Sequence, residues 1–398
     1  MNDKNTVIIF GSGATTGSGY ELQPDKLEKL RKLGVTITGN KIPTDQGFWK
    51  CVTVDDSEEF KALPMYCQEL NKHLRKRTGQ SSMETTWSVL NAAHQLRQGF
   101  KKYEALLTQS IQQKTGWDPY EFHAFFHQLE AQYILQYKNE RSRINQHRTE
   151  DHPHYLCGDA STEYLFLIKE IYSDLEPPSN KNNSFFLLFK QAEVIKKLKT
   201  IVTFNYDLLV EKNLKEHKVP FRDLLATNQE PYGEHLNLLK LHGSLNWQQF
   251  GSTGLDTFDD VVDQYYSNES YAQPAIVPPT FSKAELNDPD KYDPIRIELK
   301  RIWQSAEEYL KNARVWIFIG YSFPDTDQCA LELFNHSYDG QKIMYVTYDE
   351  NNDTKKVREE LNTKKFEGKL KKYIEDGDLE IGAVGFENSV GKIAAFLK

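Results

Sequence analysis

Thr200-Ile201-Val202-Thr203-Phe204-Asn205-Tyr206-Asp207 is the stretch that decides the fold: an apolar run without polar alternation, broken by an amide and a carboxylate two residues apart. Such unbroken runs are what a strand buried on both faces of a parallel sheet requires. Working outward, the same form recurs at Thr6–Phe10, Asn237–Leu241, Arg314–Ile319 and Lys342–Thr347, each run followed closely by Gly, Asn, Asp or His. Helical spacing lies between some of them, notably Leu299, Ile302, Trp303, Ala306, Tyr309 and Leu310 ahead of the fourth run. Strand–helix–strand alternation predicts an α/β fold, a Rossmann-like doubly wound parallel sheet.

Between the first and second runs the character changes. Residues 51–200 hold only Gly79, Gly99, Gly116 and Gly158 of the 22 glycines. Val89, Ala93, Leu96, Phe100, Tyr103, Leu107 and Ile111 recur at helical spacings of three and four, as do Phe122, Phe125, Phe126, Leu129 and Tyr133. The expected division is an α/β domain made of 1–49 and 199–398, with a large α-helical subdomain inserted at 50–198.

The chain has 398 residues, 39% of them hydrophobic, so it can bury a sizeable core. Lys+Arg 49 against Asp+Glu 57 gives a net charge of −8, which argues against general nucleic-acid binding through phosphates. The basic run Lys72-His73-Leu74-Arg75-Lys76-Arg77 reads as a solvated helix face or a partner contact. No run approaches the ~18–20 apolar residues of a membrane span, and no signal peptide is expected. Cys51, Cys67, Cys157 and Cys329 form no CxxC pair, which fits a reducing, cytoplasmic setting without a cysteine-held zinc. His123 and His127 share a helical face, and His152 and His154 share a loop, but no HExxH accompanies them. No metal is expected.

In an open parallel sheet, ligands bind beyond the carboxyl ends of the strands. After the first run comes Gly11-Ser12-Gly13-Ala14-Thr15-Thr16-Gly17, a turn that can approach a diphosphate or simply end a strand. After the second come Asn205 and Asp207, which can address a cleft or cap the next helix. After the third comes His242-Gly243, placed as a general base near neutral pH or as a structural histidine. Gly320-Tyr321-Ser322-Phe323-Pro324-Asp325-Thr326-Asp327 follows the fourth, and Asp349-Glu350-Asn351-Asn352 follows the fifth.

In this order the segments resemble the sirtuin fold, and more closely the sirtuin-like NAD hydrolases of bacterial antiphage defence. The resemblance covers about 1–45 and 195–390. It rests on TxNYD at Thr203–Asp207, LHGSxxW at Leu241–Trp247, Ile276-Val277-Pro278-Pro279 and GYSxxDxD at Gly320–Asp327. The chain lacks the deacylases' four-cysteine zinc module, has Phe204 where they have Gln, and has Ser12 between its first two glycines where Ala is usual. The first two differences point to the hydrolase branch and away from protein deacylation.

The resemblance implies an NAD+ glycohydrolase that gives nicotinamide and ADP-ribose and depletes NAD in antiphage defence. It implies that Asn205 orients water and ribose, that Asp207 holds the nicotinamide carboxamide, and that His242 acts on the ribose hydroxyls or the water. Gly11, Ser12, Gly13, Ala14, Gly320, Ser322 and Asn351 would bind the rest of NAD. Because unchecked NAD loss is lethal, it also implies a homo-oligomer and a separate partner such as a HerA-type ATPase or a short Argonaute, met through the helical block. A non-catalytic NAD or ADP-ribose sensor or scaffold is the alternative. A dehydrogenase fits less well, because neither GxGxxG nor a clean βαβ unit opens the chain.

Overall fold

The computed structural model describes residues 5–44, 48–78, 117–137, 156–176, 183–223, 235–250, 254–257, 272–276, 294–324 and 327–398, with a few isolated positions between. They form two compact units, Met1–Glu21 with Tyr172–Lys398, and Leu22–Ile171. The strands, in chain order, are β1 (Thr6–Phe10), β2 (Val35–Ile37), β3 (Val52–Val54), β4 (Leu198–Thr203), β5 (Phe221–Asp223), β6 (Leu236–Lys240), β7 (Gly243–Phe250), β8 (Gly254–Thr257), β9 (Ala272–Ile276), β10 (Val315–Ile319), β11 (Lys342–Val346) and β12 (Glu380–Gly382).

The first unit is a seven-stranded, wholly parallel sheet of order β12-β11-β10-β1-β4-β6-β5. The five apolar runs of the sequence are its five inner strands. β1 is buried throughout, and its residues serve both faces. Val7 and Ile9 join a core with Leu299, Ile302, Ala306 and Leu310 of the helix Pro294–Asn312. On the other face Phe10 meets Phe185 and Phe386, at ring distances of 5.1 and 6.0 Å. Each such buried side chain contributes roughly 1.5–3 kcal/mol. Helices on both faces make the sheet doubly wound.

Register decides where the strands stop. Val346 pairs with Ile319, Ile319 with Phe10, Phe10 with Thr203, and Thr203 with Lys240. These five strands therefore end level, in a row about 19 Å long at ~4.8 Å per strand. The chain leaves β1 toward β4 on one side and reaches β10 on the other, so the topological switch point lies at this row. β7 then forms the centre of a three-stranded antiparallel sheet with β8 and β9.

The second unit contains the helices Pro24–Lys32 and Ala62–Thr78, the helix Pro119–Tyr137, most of Leu156–Tyr172, and the antiparallel pair β2–β3. Of the helical spacing expected from Val89 to Ile111, all but Val89 lies outside the described residues. Glu163, 2% exposed, caps the helix Ala62–Thr78 from another helix. Its carboxylate accepts from the N–H groups of Lys61, Ala62 and Leu63 at 3.0, 3.1 and 2.7 Å. Glu163→Ala leaves those donors unpaired and is expected to cost about 2–3 kcal/mol in urea unfolding, with Glu163→Gln costing less. Equal unfolding midpoints for wild type and Glu163→Ala would contradict that capping role. No described helix is long and apolar enough to cross a membrane.

Candidate functional site

The row of strand ends brings the loops after β1, β4, β6 and β10 together. Gly11 donates its N–H to Ile319 O, and Gly13 donates to Gly320 O at 2.9 Å. Gly320 has φ +64, and a Cβ there would lie 2.1 Å from Ala14 N. The first and fourth loops thus interlock backbone to backbone, which only glycine permits. The N–H of Ala14 bonds Gly11 O, so the N–H groups of Gly11, Gly13 and Ala14 all point into the fold. Ser12 and Ser322 are exposed beside them.

The Asn205–Asp207 turn is tied to the first loop by a polar chain whose direction is fixed. The Asn205 amide donates to Gly11 O at 3.0 Å and to Thr15 Oγ1 at 2.9 Å. A carbonyl can only accept, so Nδ2 faces Gly11 and Oδ1 remains an acceptor. The Thr15 hydroxyl donates to Asp207 Oδ2 at 2.7 Å, and Asp207 Oδ1 accepts from Leu209 N–H at 3.1 Å. Asn205 and Asp207 are both buried. Each carboxylate oxygen keeps a second lone pair for a ligand.

His242 lies against an aromatic wall. Its ring is 5.0 Å from Phe204, 6.3 Å from Tyr206 and 6.4 Å from Trp303, and Phe204 stacks on Tyr321 at 4.3 Å. Next to it, Gly243 (φ +80) lets β9 approach so closely that a Cβ would lie 1.9 Å from Ala275 O. Nε2 of His242 is buried without a hydrogen bond, 3.5 Å from Asp327 Oδ2. Asp327 accepts from the Tyr321 hydroxyl at 2.7 Å and caps the helix Gln328–Ser337 through Ala330 N–H.

Burial pushes the His242 imidazole down to about 3, against the pull of a hydrogen bond to the Phe204 backbone. A strand-end histidine expected to titrate near neutral pH is therefore held neutral, because the aromatic wall excludes water. The unfolded chain binds this proton near pH 6.5 and the folded chain only near 3. Stability is therefore full above pH 6.5 and falls between those values as pH drops, by up to about 1.4 kcal/mol per pH unit. Urea titrations from pH 7 to 4.5 should show this slope in wild type and a shallower one in His242→Gln. Parallel slopes would contradict it.

The structure thus joins Gly11, Gly13, Ala14 and Gly320 with Asn205 and Asp207, and sets His242 beyond Phe204. Asn351 is exposed after β11, its N–H bonded to Asp349 Oδ2. No hydrogen bond links Asn351 or Ser322 to the other candidate residues among the described ones. Asp349 is held low mainly by its bond to Lys356 and organises its own loop. Thr15 and Asp327 were not singled out from sequence. Asp327 does stand in the GYSxxDxD string, whereas Thr15 carries no signal beyond lying one turn after Gly11.

Val277-Pro278-Pro279, Asp325, His152 and His154 lie outside the described residues, as do the side chains of His123 and His73–Arg77. His127 is exposed. Among the described residues no three His, Cys, Asp or Glu side chains converge as a metal site.

Comparison with known proteins adds a partial match. Residues 199–367 match a model described as a SIR2-like domain. No curated protein matches. Among solved structures, a triple mutant of a Sir2 homologue in complex with 2′-O-acetyl ADP ribose is 14% identical, covering 98% of this chain and 91% of that one, with a TM-score of 0.38. A Sir2 homologue–NAD complex is 17% identical, covering 64% of this chain and 79% of that one, with a TM-score of 0.36. The chain thus carries a SIR2-like domain match from β4 to past β11, which takes in Asn205, Asp207, His242 and Gly320.

Proposed function

We propose that this protein is an NAD+ glycohydrolase, NAD+ and water giving nicotinamide, ADP-ribose and a proton. The observation that carries the reading is the fixed chain from Asn205 through Thr15 to Asp207 at the switch point of the sheet, within reach of the interlocked glycine loops. The SIR2-like domain match and the NAD complex of one Sir2 homologue agree with it.

The chemistry asks little of an acid. The bond from ribose C1′ to the pyridinium nitrogen breaks with its electron pair going to nitrogen, so nicotinamide leaves neutral. The site must stabilise an oxocarbenium-like ribose and hold a water. Asn205 Oδ1, with both amide hydrogens engaged, can accept a hydrogen from that water or from a ribose hydroxyl. Asp207 supplies negative charge and spare lone pairs for the nicotinamide carboxamide. His242, kept neutral by burial, offers Nε2 as a hydrogen-bond acceptor for a ribose hydroxyl or the water. The interlocked loops, with Ser12, Ser322 and Asn351, would hold the rest of the dinucleotide along the row of strand ends.

In the cell we place this activity in antiphage defence. The 50–198 helical block would serve as the interface for a homo-oligomer and a separate restraining partner, such as a HerA-type ATPase or a short Argonaute. The test is nicotinamide release from NAD by the purified chain, alongside NAD-induced thermal stabilisation. Release at a rate proportional to protein is expected. A folded chain that neither binds nor cleaves NAD, alone or with its partner, sinks the reading. One observation favours a non-catalytic sensor instead: both Asp207 oxygens already accept bonds within the protein. That alternative predicts binding without release.

A further inference from the structure

Lys240 ends β6 with no exposed surface. Its ammonium has three N–H donors and meets three oxygens: Asp207 O at 2.6 Å, Glu211 Oε1 at 2.7 Å and Tyr206 O at 3.5 Å. Glu211, itself buried, neutralises the charge. The other two oxygens are backbone carbonyls of the turn that carries Asn205 and Asp207.

A buried ion pair is a poor source of net stability, because desolvation offsets the attraction and an apolar side chain of similar volume packs as well. What an ammonium does here that an apolar group cannot do is grip two successive carbonyls. Lys240 is the register partner of Thr203, the last residue of β4, and the Thr203 hydroxyl accepts from Asn205 N–H at 3.1 Å. The turn is therefore held from behind by β6 and from below by its own strand, while Thr15 holds its side chains in front.

We propose that Lys240 is a positioning residue, fixing the Asn205–Asp207 turn so that Asn205 and Asp207 meet the ligand in one geometry. Only the catalytic consequence rests on the NAD reading; the ordering of the turn does not.

The test is Lys240→Met in the full chain, read two ways. Amide hydrogen exchange in the ligand-free protein should rise at least tenfold for Asn205 and Leu209, the turn amides bonded to Thr203 Oγ1 and Asp207 Oδ1. Exchange in β10 and β11 should stay within twofold of wild type. With NAD, kcat should fall about 10- to 100-fold while KM moves less than threefold.

Wild-type exchange across the turn in folded Lys240→Met overturns the proposal, and so does unchanged kcat or a loss no greater than the unfolded fraction. If Lys240→Met does not fold, Lys240→Arg takes its place. Its planar fork keeps the charge but cannot grip both carbonyls the same way, and wild-type exchange there overturns the proposal equally. If the wild type releases no nicotinamide, the NAD reading fails and the exchange result alone decides on Lys240.

Discussion

Asn205→Ala is expected to slow nicotinamide release from NAD by about 10²- to 10⁴-fold while ADP-ribose still binds. The side chain has one atom to offer a ligand, Oδ1, because Nδ2 is engaged by Gly11 O and Thr15 Oγ1. Alanine removes that acceptor and frees the Thr15 hydroxyl from its donor, but leaves the Thr15–Asp207 bond in place. Two comparisons separate chemistry from structure. Thr15→Val removes the bridge while keeping shape, and should give a smaller loss of roughly tenfold through misplacement of Asn205 and Asp207. Asn205→Asp turns an acceptor toward the Gly11 carbonyl, and should cost stability as well as turnover. A folded Asn205→Ala protein that turns over at the wild-type rate would remove Asn205 from the mechanism and leave the reaction without a residue to hold its water.

The second large effect belongs to Gly320→Ala, which should lower unfolding free energy by about 2–5 kcal/mol and abolish ligand-induced stabilisation. A positive φ costs a residue with a side chain about 1–2 kcal/mol. Forcing apart the backbones of the first and fourth loops adds about 1–3 kcal/mol more, since the new methyl would sit 2.3 Å from Gly13 C and closer still to Ala14 N. Gly340→Ala is the control: φ is +97 there, but nothing lies within 4 Å of the added atom, so only the backbone cost of about 1–2 kcal/mol applies. The difference between the two in guanidinium unfolding measures the interlock itself. Equal losses would mean that the loops can part without penalty.

The five inner strands were legible because each is a short, mostly apolar run without regular polar alternation, even where β6 carries Asn237 and Lys240. β5 and β12 were not. Phe221-Arg222-Asp223 and Glu380-Ile381-Gly382 are three residues each, carry charges, and are strands only by pairing with a neighbour. β7–β9 escaped for a related reason: Gln248 and Gln249 interrupt any apolar signal, and β9 carries Pro274. The strand-end positions of Asn205, Asp207, His242 and the glycines were legible because each follows one of the apolar runs. Thr15 could not, since its hydroxyl matters only where positions 15, 205 and 207 converge. Nor could the neutrality of His242 be read from a His-Gly pair, because it comes from Phe204, Tyr206 and Trp303 excluding water around the ring. The backbone grip of Lys240 was hidden for the opposite reason: lysine in a sequence suggests solvent, and only packing reveals that this one has none.

The placing of β1 has a consequence for how the chain is made. The strand of the sheet that comes earliest in the sequence lies at its middle, and Val7 pairs with Thr200 on one side and Trp316 on the other. On a ribosome adding about 5–20 residues per second, Thr6–Phe10 emerges ahead of β4 by about ten seconds or more, and ahead of β10 by longer. During that time it is an apolar strand with two open edges, the form most prone to pair with a neighbouring nascent chain. The helical unit is completed within that interval. Assembly of the sheet is thus dominated by contacts remote in sequence, the condition for slow folding. Newly made chains should accordingly depend on a holding chaperone, and yield should rise when synthesis is slowed or the temperature lowered.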